Sequence, residues 1–168
     1  PDLDRALEWC EQSLIEKYGE VAADPELSLA QHGATIGMSP EQIALMARHL
    51  HHREYEAGEA IYDESATEVD EMLLVTAGKI SILLRTDDGG RERVATLSPG
   101  MTLGDVAMLS GRSRIGTSIA DTRVAAYVLE AGDLEVLRAA DPSLVAILFE
   151  NLLKMMAVRA ENMRSSVN

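Results

Sequence analysis

The stretch from Leu97 to Ile119, LSPGMTLGDVAMLSGRSRIGTSI, carries the most information about the fold of this chain. It opens with a Pro-Gly turn, continues with Gly104 and a run long enough for one or two turns of helix, and then reaches two arginines. A short helix beside a glycine presents backbone N–H groups that suit a bound anion. An arginine from the following loop can bind phosphate oxygens with two parallel hydrogen bonds. Because a carboxylate such as Asp105 can accept from a ribose hydroxyl, the pattern predicts a phosphate–sugar pocket.

Short extended runs surround this stretch and are separated by turn residues. They cover Tyr55 before Gly58 and residues 60–62, 72–76, 79–85, 93–97, 119–120 and 123–129. Asp87-Asp88-Gly89-Gly90 lies between two of them and predicts a hairpin loop. Strands this short at such spacing predict a small sandwich or a small barrel.

Helical patterns lie at both ends of the chain. The apolar spacing predicts a helix over residues 2–19, and Ser39, Pro40 and Gln42 predict the capped start of another. Asp133 is expected to cap a short helix through residue 138, and Asp141 begins a long one towards residue 163. The long helix has two apolar stripes: Val145, Phe149, Leu152, Met156 and Met163 form one, and Leu144, Leu148, Met155 and Val158 form the other. We expect one stripe to cover the strands and the other to form a homodimer, the alternative being that both are internal.

The quoted stretch resembles the phosphate-binding cassette of cyclic nucleotide-binding domains. These domains occur in the bacterial catabolite activator protein, the regulatory subunits of cAMP-dependent protein kinase and cyclic nucleotide-gated channels. The family cassette reads roughly Gly-Glu-Leu-Ala-Leu, a short spacer and Arg-Ser/Thr-Ala-Thr-Val. Its counterparts here are Gly104-Asp105-Val106-Ala107-Met108 and Arg114-Ile115-Gly116-Thr117-Ser118. The resemblance extends through residues 55–62, 73–80 and 97–100, and covers about residues 39–163.

This resemblance implies an α+β fold with a small antiparallel β-barrel (a double-stranded β-helix, or jelly roll), flanked by N-terminal helices and a long C-terminal helix. It implies a ligand-binding set of Gly104, Asp105, Val106, Ala107, Arg114, Ile115, Gly116 and Thr117. In this set Gly104 allows close backbone approach, Asp105 holds the ribose, and Arg114 and Thr117 line the phosphate side. We expect the ligand to be cAMP, and its binding to change the packing of the last helix.

Two residues depart from the family pattern. Asp105 stands where the family has glutamate and is one methylene shorter, while Ile115 replaces a serine or threonine and has no hydroxyl. Losing one hydrogen bond to a charged phosphate costs roughly 1.5–3 kcal/mol, although the backbone N–H groups of Ile115 and Gly116 can still donate. The alternative function is therefore an assembly module that keeps the fold and binds no nucleotide.

Composition excludes several other classes. The chain has 168 residues with 15 Lys and Arg against 28 Asp and Glu, a formal charge of −13, which argues against nucleic acid as a partner. Its longest apolar run, Val124 to Leu129, is far shorter than the roughly 20 residues that span a bilayer. The single cysteine, Cys10, excludes an internal disulfide framework. No nucleophile–base or metal-ligand pattern is present, so we expect neither catalysis, nor a metal, nor a resident cofactor.

Other candidate residues have ordinary interpretations. We expect Arg112 to be solvent-exposed. Arg159 could approach the base or a carboxylate as part of a lid, but a surface or intersubunit role is the favoured prediction. His49, His51 and His52 suggest a metal site, yet we expect them to be solvated at a helix end.

We divide the chain into a helical segment with a linker, 1–38, and a cyclic nucleotide-binding-like domain, 39–168. Residues 2–11 resemble the closing helix of a STAS domain, as found in sulfate-permease-type transporters and in some bacterial glutaminases. This resemblance implies a regulatory piece covalently attached to a transporter or an enzyme. We expect a cytoplasmic location, which includes the cytoplasmic part of a membrane protein.

Overall fold

The computed structural model describes residues 26–65, 70–112, 114 and 116–165. The helix predicted over residues 2–19, with its resemblance to a STAS domain, lies outside the described residues. Residues 26–38 run against the rest of the domain: the Leu27 N–H donates to the Thr76 carbonyl at 2.8 Å, and Ala34 is fully buried. The boundary at residue 38 remains a prediction.

Eight antiparallel strands among the described residues form the centre of the domain. In chain order they are β1 His51–Tyr55, β2 Ala60–Tyr62, β3 Glu71–Ala77, β4 Ile80–Arg85, β5 Arg91–Leu97, β6 Thr102–Leu103, β7 Thr117–Ala120 and β8 Val124–Glu130. One sheet has the order β1-β8-β3-β6 and the other β2-β7-β4-β5. This exchange of consecutive strands between two four-stranded sheets is a jelly-roll arrangement.

The predicted α+β jelly roll is confirmed, and of the sandwich and the small barrel that the strand pattern left open, the described strands form two sheets and no closed barrel. Within the described residues no pairing joins one sheet to the other. The strands at their edges include β2 and β6, which are only three and two residues long. Strands this short have few backbone groups with which to close a barrel. The hairpin predicted at residues 87–90 is confirmed, with the Thr86 N–H donating to the Gly90 carbonyl at 3.0 Å.

In the part of the chain that the structure describes, four helices and two short 3-10 turns pack around the sheets. The helices are α1 Pro40–Ala47, α2 Asp105–Ser110, α3 Ala131–Ala140 and α4 Pro142–Ser165, and the turns are Leu29–Gln31 and Gly33–Thr35. The predicted capping box of α1 is confirmed, since the Ser39 hydroxyl accepts from the Gln42 N–H at 3.2 Å and the Gln42 side chain accepts from the Ser39 N–H at 3.0 Å. Asp141 caps α4 as predicted, accepting from the Leu144 N–H at 3.0 Å.

Two predictions at the start of α3 and β1 are wrong. The helix begins at Ala131, so Asp133 lies in its first turn and does not cap it. His51 and His52 belong to β1 rather than to a helix end. Asp133 instead contacts His49, with Oδ1 lying 3.0 Å from Nδ1. The backbone hydrogen bonds of the sheet outweigh the helical pattern that precedes these histidines.

Two hydrophobic cores share strand β3. Leu73 and Val75 face the second sheet, while Met72 and Leu74 face the helices, so that this strand is apolar on both sides. Both stripes of α4 contribute to the helix-side core, through Leu144, Val145, Leu148 and Leu152. The early parts of both stripes therefore pack inside one chain. Dimerisation stays a prediction.

Candidate functional site

Gly104 begins the segment that the sequence predicts as a ligand site. It precedes α2 with φ +84°, a backbone conformation that favours glycine. A Cβ at this position would lie 3.0 Å from the Glu71 carbonyl oxygen and 3.1 Å from an Arg114 guanidinium nitrogen. The turn therefore brings Gly104 and Arg114 together, although they are ten residues apart.

Arg114 is partly buried and lies over the ring of Tyr62. Its guanidinium carbon is 3.2 Å from the ring centroid, within the range of a cation–π contact. Burial, followed by the neighbouring Glu71 carboxylate, raises the pKa of the Tyr62 phenol well above its usual 10.0, so the ring remains neutral. The stacked ring fixes the position of the arginine that the sequence assigns to phosphate.

A cavity of about 340 Å³ adjoins this arginine. Its lining combines one cation with several acidic side chains and two side chains of β2: Arg114, Asp63, Asp70, Glu71, Glu130, Ile61 and Tyr62. The volume is in the range of small-molecule pockets. The lining is dominated by carboxylates, which favour hydrogen-bond donors and oppose anions of high charge.

Asp105 is not among the residues that line this cavity, and its side chain contacts the last helix. Its side chain is 2% exposed, and Oδ2 accepts from the Thr102 hydroxyl at 2.9 Å. The same oxygen accepts from Nη2 of Arg159 at 2.5 Å, while Nη1 of Arg159 donates to the Thr102 carbonyl at 2.8 Å. The carboxylate predicted to hold ribose is thus paired with an arginine of α4.

The other predicted site residues differ in their placement. Val106 is 56% exposed and Ala107 is buried. Gly116 has no room for a side chain, because a Cβ there would lie 2.5 Å from the Leu83 carbonyl oxygen. Thr117 is buried in β7, and its hydroxyl has no hydrogen-bond partner within the described part of the chain. Ile115 lies outside the described residues.

The two other arginines considered in the sequence analysis differ in their exposure. Arg112 is exposed, as predicted. Arg159 is not a surface residue: its side chain is 17% exposed and is held by Asp105 and Thr102, in agreement with the lid alternative. Sequence reasoning missed Thr102 and the acidic lining at Asp70 and Glu130. A polar residue three positions before Asp105 was the available signal for Thr102.

Across the described ranges, no group of three or more His, Cys, Asp or Glu side chains is arranged to hold a metal ion. None of the helices described is both long and apolar enough to cross a membrane.

Two curated proteins of Bradyrhizobium diazoefficiens are similar to almost the whole chain. Glutaminase 2 is 28% identical over 158 residues, which are 94% of this chain and 24% of the relative. Glutaminase 1 is 27% identical over 158 residues, again 94% of this chain and 25% of the relative. The chain therefore spans about a quarter of the length of these relatives.

Solved structures from several organisms share the fold. A cyclic nucleotide-binding domain from Methylobacillus flagellatus has a TM-score of 0.73 and 19% identity, covering 77% of this chain and 72% of that one. The catabolite activator protein of Thermus thermophilus has a TM-score of 0.68 and 21% identity, covering 80% and 61%. The regulatory subunit of a cAMP-independent protein kinase A from Trypanosoma brucei has a TM-score of 0.67 and 19% identity, covering 83% and 49%.

The family model named "Cyclic nucleotide-binding domain" matches residues 52–141, more than half of the chain. The match includes the turn at Gly104, helix α2, Arg114 and all of the strands from β2 to β8. Together with the jelly-roll order of the strands, it establishes that this chain belongs to the cyclic nucleotide-binding domain family.

Proposed function

We propose that this domain is a non-catalytic regulatory module that binds a cyclic nucleotide, cAMP being the first candidate. The observation that carries the proposal is the position of Arg114 beside Gly104, inside a segment that the family model matches. The family is typically regulatory, and its fold occurs in the regulatory subunits and the activator protein described above.

Arg114 supplies the positive charge for the cyclic phosphate in this proposal. Its guanidinium can form two hydrogen bonds with phosphate oxygens, and Tyr62 holds its plane in position. The buried Thr117 hydroxyl, which has no partner among the described residues, is available to a phosphate oxygen. The backbone N–H groups near Gly116 complete the donor set.

The acidic lining of the cavity supports a ligand of low charge. Asp63, Asp70, Glu71 and Glu130 surround the single guanidinium of the lining. A cyclic mononucleotide carries one negative charge, whereas a cyclic dinucleotide carries two and meets stronger repulsion. We therefore propose a cyclic mononucleotide as the class of ligand.

Calorimetric titration of the chain with cAMP and cGMP tests the proposal. Replacing Arg114 with glutamine removes charge-assisted hydrogen bonds worth about 1.5–3 kcal/mol each, so we expect at least about tenfold weaker binding. Arg112→Gln makes the same change of charge at an exposed position two residues away and is expected to bind normally. Equal affinities for Arg114→Gln and the unmodified chain would contradict the assignment.

The similarity to two glutaminases supports a proposal about the protein to which this module is attached. We propose that the chain is the regulatory part of a longer glutaminase-like protein, because the match covers 94% of this chain and about a quarter of each relative. Glutamine hydrolysis by the whole protein, measured with and without cAMP, tests this attachment. A rate of glutamine hydrolysis that saturating cAMP leaves unchanged would contradict this regulatory role.

A ligand-free assembly module remains the second candidate. It is favoured by the pairing of Asp105 with Arg159 and by two exposed apolar residues of α4, Leu153 and Val158, which are 66% and 54% exposed. This candidate predicts a dimer that forms as the protein concentration increases. The dimer should be unaffected by cAMP and weakened by Leu153→Glu. Sedimentation of the chain as a monomer at high protein concentration would contradict this candidate.

A further inference from the structure

We propose that the cavity beside Arg114 also binds an α-amino acid with an uncharged side chain, through the α-carboxylate and the α-ammonium group of that ligand. Glutamine is the first candidate, a choice that rests on the proposed attachment to a glutaminase-like protein. The amino acid shares Arg114 with the nucleotide and therefore competes with it.

Arg114 is the side chain that matches the α-carboxylate. It is the cation of the cavity lining among the described residues, and a planar guanidinium binds the two oxygens of a carboxylate as readily as those of a phosphate. The ring of Tyr62, 3.2 Å from the guanidinium carbon, holds the plane of the arginine in position. One guanidinium is sufficient for an α-carboxylate, which carries one negative charge.

The acidic side chains of the lining match the α-ammonium group. Glu71 and Glu130 are directly opposite each other in the pairing of β3 with β8, and both line the cavity. Like charges in this arrangement destabilise a sheet. Arg53, which is outside the lining, offsets part of the repulsion, since its Nη1 lies 2.9 Å from Oε1 of Glu71. An ammonium group inside the cavity offsets more of it.

The acidic lining also has carboxylates that other side chains do not occupy. Asp63 accepts from the N–H of Ser65 at 2.8 Å. Asp70 and Glu130, by contrast, form no side-chain hydrogen bond or ion pair within the described part of the chain. These two carboxylates can therefore accept from a ligand without breaking a contact inside the domain.

The hydroxyl of Tyr62 is an independent indication of a ligand in this cavity. Tyr62 is only 8% exposed, and its hydroxyl is buried without a hydrogen-bond partner among the described residues. Buried hydroxyl groups in folded proteins are nearly always hydrogen-bonded. Because Tyr62 lines the cavity, its hydroxyl can donate to the carboxylate of an amino acid or accept from the ammonium group.

The charge of the lining selects against an acidic ligand side chain. Four carboxylates and one guanidinium line the cavity, so the balance stays negative after an ammonium group has bound. Glutamate has nearly the same size as glutamine and one more negative charge, and the lining repels that charge. The volume of about 340 Å³ is near the lower end of the range for small-molecule pockets and suits a ligand of this size.

Calorimetric titration of the full chain with glutamine, glutamate and N-acetylglutamine tests the proposal. We expect glutamine to bind and the other two ligands to bind at least about tenfold more weakly, because glutamate adds a negative charge and acetylation removes the ammonium charge. The absence of glutamine binding would overturn the proposal, and so would equal affinities for glutamine and glutamate.

Glu130→Gln removes one carboxylate of the lining and keeps the size of the side chain. It is expected to weaken glutamine binding about tenfold, whereas cAMP, an anion, should bind at least as tightly as before. Because the substitution also removes the repulsion with Glu71, the urea denaturation midpoint should not fall. Glu92→Gln makes the same change at an exposed position of β5 outside the lining and should alter neither affinity.

The outcomes distinguish the amino-acid site from the proposed function. If cAMP binds and glutamine does not, only the amino-acid site is overturned; if glutamine binds and cAMP does not, the proposed function fails and the amino-acid site stands. Unchanged glutamine binding by Glu130→Gln, or weaker binding of both ligands, would overturn the ammonium contact. Saturating cAMP should raise the apparent dissociation constant of glutamine, because both ligands use Arg114, and an unchanged constant would overturn the shared site.

Discussion

The two halves of α4 are held to the domain by different forces. The first half, residues 142–152, buries Leu144, Val145, Leu148 and Leu152 in the helix-side core. Its one buried polar residue, Asn151, donates to the carbonyls of Ala34 and Ile36 at 3.0 and 2.8 Å. The second half, residues 153–165, has no buried residue among those whose side chains are described; Met155 and Met156 pack against the same core while only partly buried, and Arg159 adds a polar contact.

This difference means that the two halves of one continuous helix resist displacement to different degrees. Apolar burial is non-directional and resists displacement of the first half. A polar pair is directional and depends on one partner, so a substitution at a single residue removes it without emptying the core. The boundary between the halves lies close to Leu152, where the helix passes beyond the core.

The largest expected effect comes from deleting a buried side chain of the first half. Leu148 is fully buried, and Leu148→Ala is expected to lower the free energy of unfolding by about 2–5 kcal/mol through lost contacts and a cavity. Leu153→Ala makes the same chemical change at a position that is 66% exposed and is expected to alter stability by less than about 0.5 kcal/mol. Urea denaturation measures the free energy of unfolding of both variants. Equal destabilisation by the two substitutions would contradict the expected difference between the two halves.

A smaller effect is expected from acid, through the segment on which the first half packs. His32 is fully buried; Nδ1 accepts from the Ala34 N–H at 3.1 Å, and Nε2 donates to the Met101 carbonyl at 3.2 Å. Chiefly because of burial, the pKa of His32 is lowered from 6.5 to about 4. The neutral ring is therefore the form that the folded domain requires.

The direction of the pH dependence follows from this lowered pKa. Above pH 6.5 both states are neutral and the stabilisation is fully present. As the pH falls from 6.5 towards 4 the unfolded chain takes up the proton first, so stability decreases, by about 2–3 kcal/mol at pH 4.5. Urea denaturation between pH 7 and 4.5 should show this loss, and His32→Gln should remove most of it. An unchanged slope in the variant would assign the loss to other groups.

The smallest effect is expected at the junction of the two halves. Lys154 and Glu150 form an i,i+4 ion pair at 2.7 Å, and both side chains are about two-thirds exposed. Water and salt screen such a pair, so Lys154→Gln is expected to leave the denaturation midpoint nearly unchanged. A clear loss of stability that disappears at high salt would show that the junction is held by charge and would move the boundary beyond residue 154.

Local signals in the sequence predicted most of the framework correctly. The capping box at Ser39, the cap at Asp141 and the hairpin at residues 87–90 each depend on a few neighbouring residues, and all three are present. Six of the eight described strands were predicted with ends that differ by at most two residues, whereas β6 was missed and β1 begins four residues before Tyr55, the residue predicted for it. The cassette residues Gly104 and Arg114 were found by their motif, and the turn brings them together.

The sequence failed where distant residues decide the outcome. It placed His51 and His52 at a helix end, yet their pairing with β8, more than 70 residues away, puts them in a strand. It assigned Asp105 to ribose and favoured a surface role for Arg159, because nothing in a linear pattern shows that residues 54 positions apart will meet. The two apolar stripes of α4 look equivalent in the sequence. Only the packing of the helix shows at which residue each stripe ceases to be buried.

The sequence by itself determined the family, most of the elements in their order, the glycine turn and the arginine beside it, because each of these depends on local geometry and short motifs. Only the tertiary structure decided that two sheets form instead of a closed barrel, that the cavity beside Arg114 is acidic, and that Asp105 is held by α4. These features depend on which surfaces meet after the chain has folded, and such contacts are set by packing across the whole domain.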